Sequence, residues 1–312
     1  MSSRVVEDDA LAKAARATEA LYLLRDTYFL VDLDDKISRL NVDSDLALNL
    51  LDSIPLDNFS IYPFQQRKHP AQRAKYEYLR GKILDVLPNS RKEADDHLST
   101  AVKLNPSLAD AWLCLGNYIW KKRDLSSTKN CFNLALSKGL NRQILCQLSM
   151  LERKMAQAEL VDESIQHAKE AITLDVKDGN SWYNLGNACL TSFFVTGACD
   201  HYKLLQSWKE KDERMQSNPD LYFNCATVNI YLENYEMALS GFEATALNDP
   251  GFISSKLLIS KISSYHLFFK KLIPHNVVSF AVPHLSVSPS PSEKEIEKEK
   301  KELFLLFLLS YF

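Results

Sequence analysis

Two stretches of the chain, seventy residues apart, carry the same residues in the same frame. The first reads AWLCLGNYIW (111–120) and the second reads SWYNLGNACL (181–190). Trp, Leu, Gly and Asn recur at identical spacings, although the chain contains only four tryptophans. A recurrence at fixed spacing predicts internal repeats, which bury a continuous core by stacking on one another.

The repeated residues fit W-x₂-L-G-x₂-Y, then A-x₃-F, then P, over about 34 residues, which is the tetratricopeptide signature of two helices, A and B. Gly116 and Gly186 remove a side chain where helix A meets helix B, and Trp112 and Trp182 fill the adjacent space. Glycine is scarce and apolar spacings of three and four dominate. The predicted fold class is all-α, a right-handed α-solenoid of tetratricopeptide repeats with N-terminal capping helices.

The array is predicted to contain five units. They span about 74–108, 109–142, 145–178, 179–218 and 219–252. The fourth unit is degenerate, because SWKEKDERMQ stands where helix B needs small and aromatic residues. Either the helix is built from HYKLLQSWKE, with Tyr202, Leu205 and Trp208 inward, or the unit lacks a turn. In the fifth unit Ala238 and Phe242 are the predicted packing residues.

The flanking segments are predicted to cap the array. Residues 1–73 are assigned to an N-terminal helical cap, with an amphipathic helix over 10–31 and a second short helix and a loop within 32–63. Residues 253–275 are expected to form a final capping helix. Residues 276–312 are expected to be a linker and a disordered tail, because Pro and Ser are frequent there.

Composition and missing motifs argue against several classes of function. A net charge of −3 provides no basic field for nucleic acid. The six cysteines form no C-x-x-C pair, and no phosphate-binding, nucleophile-elbow or zincin motif occurs, so we expect no enzyme, no cofactor and no metal. The apolar LFLLFLLSYF is too short for a membrane span, which needs about 20 residues. Without a signal-peptide pattern, the expected location is the cytoplasm, with the nucleus as a second compartment.

The concave wall of such a solenoid is made by the A helices and accepts extended peptides. The second, fifth, ninth, twelfth and thirteenth places of a unit face inward. These places hold Asp110, Leu113, Asn117, Trp120, Lys121, Arg153, Asn180, Tyr183, Asn187, Asp220, Phe223 and Thr227. From this set the predicted peptide-binding groove consists of Arg153, Asp220, Asn117, Asn187, Lys121, Tyr183 and Phe223.

The chemistry of these groove residues indicates a peptide that carries both charges. Asn117 and Asn187 each offer an amide donor and an acceptor to a peptide backbone. Arg153 offers a two-pronged donor to a carboxylate, and Asp220 offers the reverse to a guanidinium. The alternative for each residue is a solvated helix face or a helix cap, as for Asp220 at a helix start.

Several stretches resemble the Strap or tubulin autoregulation factor family, which combines tetratricopeptide repeats with an OB-fold. They are ALYLLRDTYF (20–29), AVKLNPSLADAW (101–112), LSMLERKM (148–155), HAKEAITLDVKDGNSWYNLGN (167–187) and SNPDLYFNCAT (217–227). The resemblance implies recognition of the Met-Arg-Glu/Asp start of nascent tubulin at the ribosome, followed by decay of tubulin mRNA. It also implies that Arg153 receives the acidic third residue and Asp220 the arginine. A further acidic position of the family falls near Ser254 here.

Two departures from the family, the shortened helix B after residue 191 and the C-terminal segment, and two alternative functions accompany this resemblance. No alternating strands follow residue 250, so the C-terminal OB-fold is expected to be missing and the chain to be a truncated form. One alternative is a nuclear transcription-cofactor scaffold in the stress response, acting outside the groove. The other is a chaperone adaptor for C-terminal Glu-Glu-Val-Asp peptides, to which Lys121 and Asn117 are suited and which Asp110 and Asp220 oppose.

Overall fold

A computed structural model of the chain describes residues 2–27, 33–54, 70–89, 91–155, 158–196, 218–232 and 234–249. These residues form eleven helices and no β-strand, so the all-α prediction is confirmed. In chain order the helices are α1 Ser2–Thr27, α2 Leu33–Asp52, α3 Pro70–Leu84, α4 Lys92–Leu104, α5 Ala109–Lys121, α6 Leu125–Lys138, α7 Arg142–Met155, α8 Ala158–Leu174, α9 Gly179–Thr196, α10 Pro219–Tyr231 and α11 Tyr235–Asn248.

The helices pack as successive pairs. The most extensive contacts join α3 with α4, α5 with α6, α7 with α8, and α10 with α11. Neighbouring pairs meet through α4 and α5, through α6 and α7, and between the A helices α7 and α9. Each pair is thus an A–B unit, and the A helices α7 and α9 lie side by side.

The N-terminal cap is a longer pair than the sequence predicted. Helix α2 runs for 20 residues, where only a short helix and a loop were expected within 32–63. Its buried residues Leu40, Ala47 and Leu51 follow helical spacing, and they share a core with Leu79 of α3. This continuous apolar stripe explains the length of α2, since an amphipathic helix persists as long as one face can be buried.

The small and aromatic residues of the repeat lie at closely packed helix contacts. A Cβ atom placed on Gly116 would lie 2.5 Å from Cε1 of Phe132, so only glycine leaves room for that ring. Gly186 is buried, and Ala238 and Phe242 are fully buried. The two repeat tryptophans also behave alike. The indole N–H of Trp112 donates to the carbonyl of Pro106 at 3.0 Å, and that of Trp182 donates to the carbonyl of Val176 at 2.7 Å.

Several predictions concern residues outside the described ranges. They are the degenerate helix B with Tyr202, Leu205 and Trp208, the capping helix at 253–275, the tail at 276–312 and the position of Ser254. Among the helices of the described ranges, none combines the length and hydrophobicity needed to cross a membrane.

Candidate functional site

Arg153 lies near the C-terminal end of α7, at the ninth place of its unit, and its residue is 8% exposed. Its Nη2 donates to Oδ1 of Asn184 on α9 at 3.4 Å. Asn184 is anchored in turn, because its Nδ2 donates to the backbone carbonyl of Asn180 at 2.9 Å. The guanidinium group of Arg153 is therefore held against the next A helix by a neutral amide.

Asn187 lies one turn further along α9 and is fully buried. Its Oδ1 accepts a hydrogen bond from Nδ2 of Asn224 on α10 at 3.0 Å, while no atom of the described residues accepts from its own Nδ2. The sequence had assigned both a donor and an acceptor of Asn187 to the peptide. The structure corrects this, because the acceptor already joins α9 to α10 and only the donor remains.

Asp220 lies in the first turn of α10, and its carboxylate does not cap the helix. Asn218 does so, because its Oδ1 accepts from the backbone N–H of Asp220 at 3.0 Å and Pro219 occupies the first turn. The pKa of Asp220 is raised, first because neighbouring atoms remove water from the carboxylate and second because Asp249 carries the same charge. Asp220 is an exposed residue, so water moderates this effect.

Asn117 and Lys121 lie on the same helix, α5, in different surroundings. Asn117 is half-buried, and its side chain makes no hydrogen bond within the described part of the chain. By contrast, the ammonium group of Lys121 binds the carboxylate of Asp85 at 2.9 Å and the carbonyl of Leu87 at 2.8 Å. Lys121 therefore joins α5 to the end of α3, which corrects its assignment to the peptide-binding set.

Phe223 requires a second correction. It is 2% exposed and packs edge-on against Phe242, with 5.5 Å between the ring centroids, so it belongs to the core of the α10–α11 pair. Leu113 and Thr227, which the same rule placed on the concave wall, are also buried. Tyr183 is half-buried, and its contact with a peptide stays a prediction. The fifth place thus contributes to the core through Leu113 and Phe223, and the ninth place contributes to it through Thr227.

Sequence reasoning missed two asparagines that the structure brings to the wall, Asn184 and Asn224. Both are 1% exposed, and both occupy the sixth place of their units. The sixth places of the first three units are apolar, with Leu79, Cys114 and Met150. An amide at a place that is otherwise apolar was the signal, because a buried polar group is costly unless it finds a partner.

The described residues contain no cluster of three or more His, Cys, Asp or Glu side chains that could hold a metal ion. Of the cysteines there, Cys114 is buried, and burial raises its pKa to about 12. Such a thiol is a structural group, because the thiolate is the reactive form. The predicted groove residues offer guanidinium, carboxylate and amide groups.

Stacked A–B pairs with this packing define a tetratricopeptide-repeat solenoid. Two solved structures share the fold. PilF of Pseudomonas aeruginosa matches with a TM-score of 0.50 at 17% identity, over 75% of this chain and 100% of that one. The Cut9–Hcn1 hetero-tetramer of the APC/C matches with a TM-score of 0.51 at 14% identity, over 82% of this chain and 49% of that one. The predicted right-handed α-solenoid of tetratricopeptide repeats is confirmed.

Within this class, the chain is a homologue of the proteins named Tetratricopeptide repeat protein 5. It is 36% identical to the Mus musculus protein over 258 residues, which are 77% of this chain and 55% of the relative. It is 39% identical to the Homo sapiens protein over 193 residues, which are 58% of this chain and 43% of the relative. The chain spans about half the length of the curated relatives it matches. No protein-family model matches it.

Proposed function

We propose that this chain is a non-enzymatic peptide-binding adaptor that reads the N-terminal Met-Arg-Glu/Asp peptide of nascent tubulin at the ribosome, in the cytoplasm. The observation that carries the proposal is the placement of two opposite charges on separate A helices. Arg153 lies on α7 and Asp220 on α10, with the asparagines of α9 between them in the order of the units. A peptide with adjacent basic and acidic residues fits such a wall.

The Arg153 end supplies the contact for the acidic residue. A guanidinium group has five donors in a planar fork, and the described bond to Asn184 uses one of them. Because Asn184 is neutral, it holds the group without cancelling its charge. A carboxylate of the peptide can then accept from the guanidinium group as a charge-assisted pair.

The Asp220 end supplies the contact for the arginine. No Lys, Arg or His within the described residues forms an ion pair with Asp220, and its raised pKa reflects lost water and the nearby charge of Asp249. A bound guanidinium group would compensate both carboxylates. We therefore expect the pKa of Asp220 to fall when the peptide binds.

The two alternative readings make different demands on the groove. A chaperone adaptor for Glu-Glu-Val-Asp peptides needs several available basic groups, and Lys121 is already bound to Asp85 and Leu87. A nuclear transcription-cofactor scaffold acts through another surface, so groove substitutions would leave it intact. The groove described here favours the tubulin peptide over the chaperone peptide.

The test is binding of a labelled Met-Arg-Glu-Ile peptide to the purified full chain and to Arg153→Glu and Asp220→Arg. Each reversal places like charges face to face, so each should cost about 2–5 kcal/mol of binding free energy. The peptide Met-Arg-Lys-Ile should recover affinity for Arg153→Glu alone, because it restores opposite charges at that end only.

Matched controls change the same charges on exposed positions of B helices. Lys138→Glu on α6 and Asp96→Arg on α4 repeat the sign changes outside the groove, and we expect wild-type affinity from both. Binding that survives both groove reversals in helical, folded protein would contradict the proposal and leave the scaffold alternative ahead.

A further inference from the structure

We propose that Asn184 positions Arg153 for the carboxylate of the bound peptide, and that it thereby sets the preference for an acidic residue at that place. The proposal rests on the proposed function and adds a residue that acts through Arg153 and not on the ligand itself. It follows from a chain of hydrogen bonds that leads from Asn180 through Asn184 to Arg153.

The orientation of the Asn184 amide is determined by its anchor. A backbone carbonyl can only accept, so the nitrogen of the amide must face the carbonyl of Asn180, at 2.9 Å. The oxygen of the same amide then points away from Asn180 and faces Nη2 of Arg153 at 3.4 Å. With Asn184 1% exposed, packing keeps the amide from turning over.

The neutrality of Asn184 is what leaves Arg153 useful to a ligand. An aspartate in the same place would form an intramolecular ion pair with the guanidinium group and compete with the carboxylate of the peptide. An apolar residue would remove the hydrogen bond that Nη2 of Arg153 makes to α9. An amide oxygen accepts this hydrogen bond without adding a negative charge beside the guanidinium group.

The residues at the sixth place of each unit support a specific role for Asn184 beside Arg153. The sixth place holds Leu79, Cys114 and Met150 in the first three units, and asparagine in the unit that follows Arg153. Asn224, at the same place of the fifth unit, donates to Asn187 and so joins α9 to α10. The asparagine at the sixth place thus contacts a neighbouring A helix in both units, and for Asn184 this contact is with the arginine.

The experiment compares two peptides, Met-Arg-Glu-Ile and Met-Arg-Gln-Ile, on the full-length chain and on Asn184→Asp. The aspartate is nearly isosteric and adds only a negative charge beside Arg153. We expect the affinity for the glutamate peptide to fall about tenfold or more, the order of a lost charge-assisted contact. The affinity for the glutamine peptide should change by less than about threefold, so the Glu/Gln ratio moves toward one.

Asn229→Asp is the matched control. Asn229 on α10 is also buried, at 8% exposure, and its Nδ2 donates to the carbonyl of Cys225 at 2.9 Å, which is the same i to i−4 bond that Asn184 makes. Both variants replace a buried amide with a carboxylate and should lose comparable thermal stability. Only Asn184→Asp should change the Glu/Gln ratio.

Asn184→Ala provides a second measurement in case the aspartate prevents folding. It removes the hydrogen bond to Arg153 without adding charge. We expect the ratio of the affinities for the glutamate and glutamine peptides to fall by about three- to tenfold. A wild-type ratio in folded Asn184→Asp or Asn184→Ala would overturn the positioning role. A wild-type protein that binds both peptides equally would instead contradict the carboxylate contact of the proposed function, so the two failures are distinguishable.

Discussion

The α5–α6 and α7–α8 pairs share one fold, but the same place of the repeat makes an apolar contact in the first pair and a charged contact in the second. At the eighth place of its unit, α5 has Gly116, and the ring of Phe132 on α6 fills the space above it. At the eighth place of the next unit, α7 has Glu152, whose residue is fully buried. A gap filled by an aromatic ring in one pair is thus replaced by a charged side chain in the other.

Glu152 is tolerated because both neighbouring helices bring it a partner. Lys129 of α6 lies 3.4 Å from its Oε1, and Nδ1 of His167 on α8 lies 2.8 Å from its Oε2. A buried carboxylate costs several kcal/mol of folding free energy unless such groups compensate it. Oε1 of Glu152 accepts no hydrogen bond from the described residues, so Lys129 compensates it by charge alone. The comparison teaches that the repeat requires a filled A–B contact, for which glycine with an aromatic ring is only one solution.

The largest expected effect comes from Gly116→Ala. In a helix interior this change usually stabilises by about 1 kcal/mol. Here the added Cβ atom would meet Phe132 at 2.5 Å and Cys131 at 3.2 Å, and Phe132 is fully buried and cannot move away. We expect a loss of about 1–3 kcal/mol in the free energy of unfolding, measured by urea denaturation.

Gly139→Ala is the matched control for this change. No atom lies within 4 Å of the position that its Cβ would take, and its φ of 178° is extended backbone. We expect a change of less than about 0.5 kcal/mol, or a small gain from the less flexible unfolded chain. Equal effects at the two glycines would show that the Phe132 contact is not what requires Gly116.

An intermediate effect is expected from pH in the α7–α8 pair. The hydrogen bond to Glu152 raises the pKa of His167 above its ordinary value, against the opposing effect of burial. Glu170 and Glu163 contribute in the same direction. A raised folded-state pKa adds stability that is complete below the unfolded pKa of about 6.5 and is lost as pH rises through the folded value.

His167→Gln should therefore destabilise the protein by about 1 kcal/mol at pH ~5.5 and by much less at pH ~9. Denaturation of both proteins across this range measures the difference. The loss caused by Gly116→Ala should stay constant over the same range, since its contact with Phe132 contains no acid or base. A His167→Gln effect that is equally constant would mean that the histidine contributes by packing and not by its charge.

The same two pairs show what the sequence can predict. The α5–α6 pair follows the consensus, so its helices and the contact of Gly116 with Phe132 were predictable from spacing alone. The predicted third unit was weak in helix A, because its eighth place holds Glu152 and its partners Lys129 and His167 lie 23 residues before it and 15 residues after it. Spacing patterns identify residues that share a face. They do not identify a long-range ion pair.

The groove shows the same limit. The ninth place puts Arg153 and Asn187 in contact with the next A helix, because position in the repeat determines which way a Cβ points, and their contact with a peptide stays a prediction. The pattern could not show that Lys121 is bound to Asp85, or that Phe223 faces Phe242, because those outcomes depend on side-chain length and on the neighbouring unit. Position was predictable, and the partner of each side chain was not.

The smallest expected effect is a gain, and it lies in the turn of the consensus-like α5–α6 pair. Arg123 has a φ of 65°, the left-handed conformation that follows many helix ends, and its N–H donates to the carbonyl of Trp120 at 2.8 Å. This conformation costs a residue with a Cβ roughly 1–2 kcal/mol, part of which glycine returns through its more flexible unfolded chain. Arg123→Gly should thus raise the free energy of unfolding by about 0.5–1 kcal/mol.

Arg123→Ala separates backbone strain from charge at this turn, where Lys121 and Lys122 precede the arginine. Alanine removes the third positive charge but keeps the Cβ that makes the conformation costly. If strain is the cause, urea denaturation will show a gain for glycine and none for alanine; an equal gain from both would assign the effect to repulsion among the basic residues. The first result would mean that the pair closest to the consensus still carries a strained turn, so similarity to the consensus and local stability are separate properties of a unit.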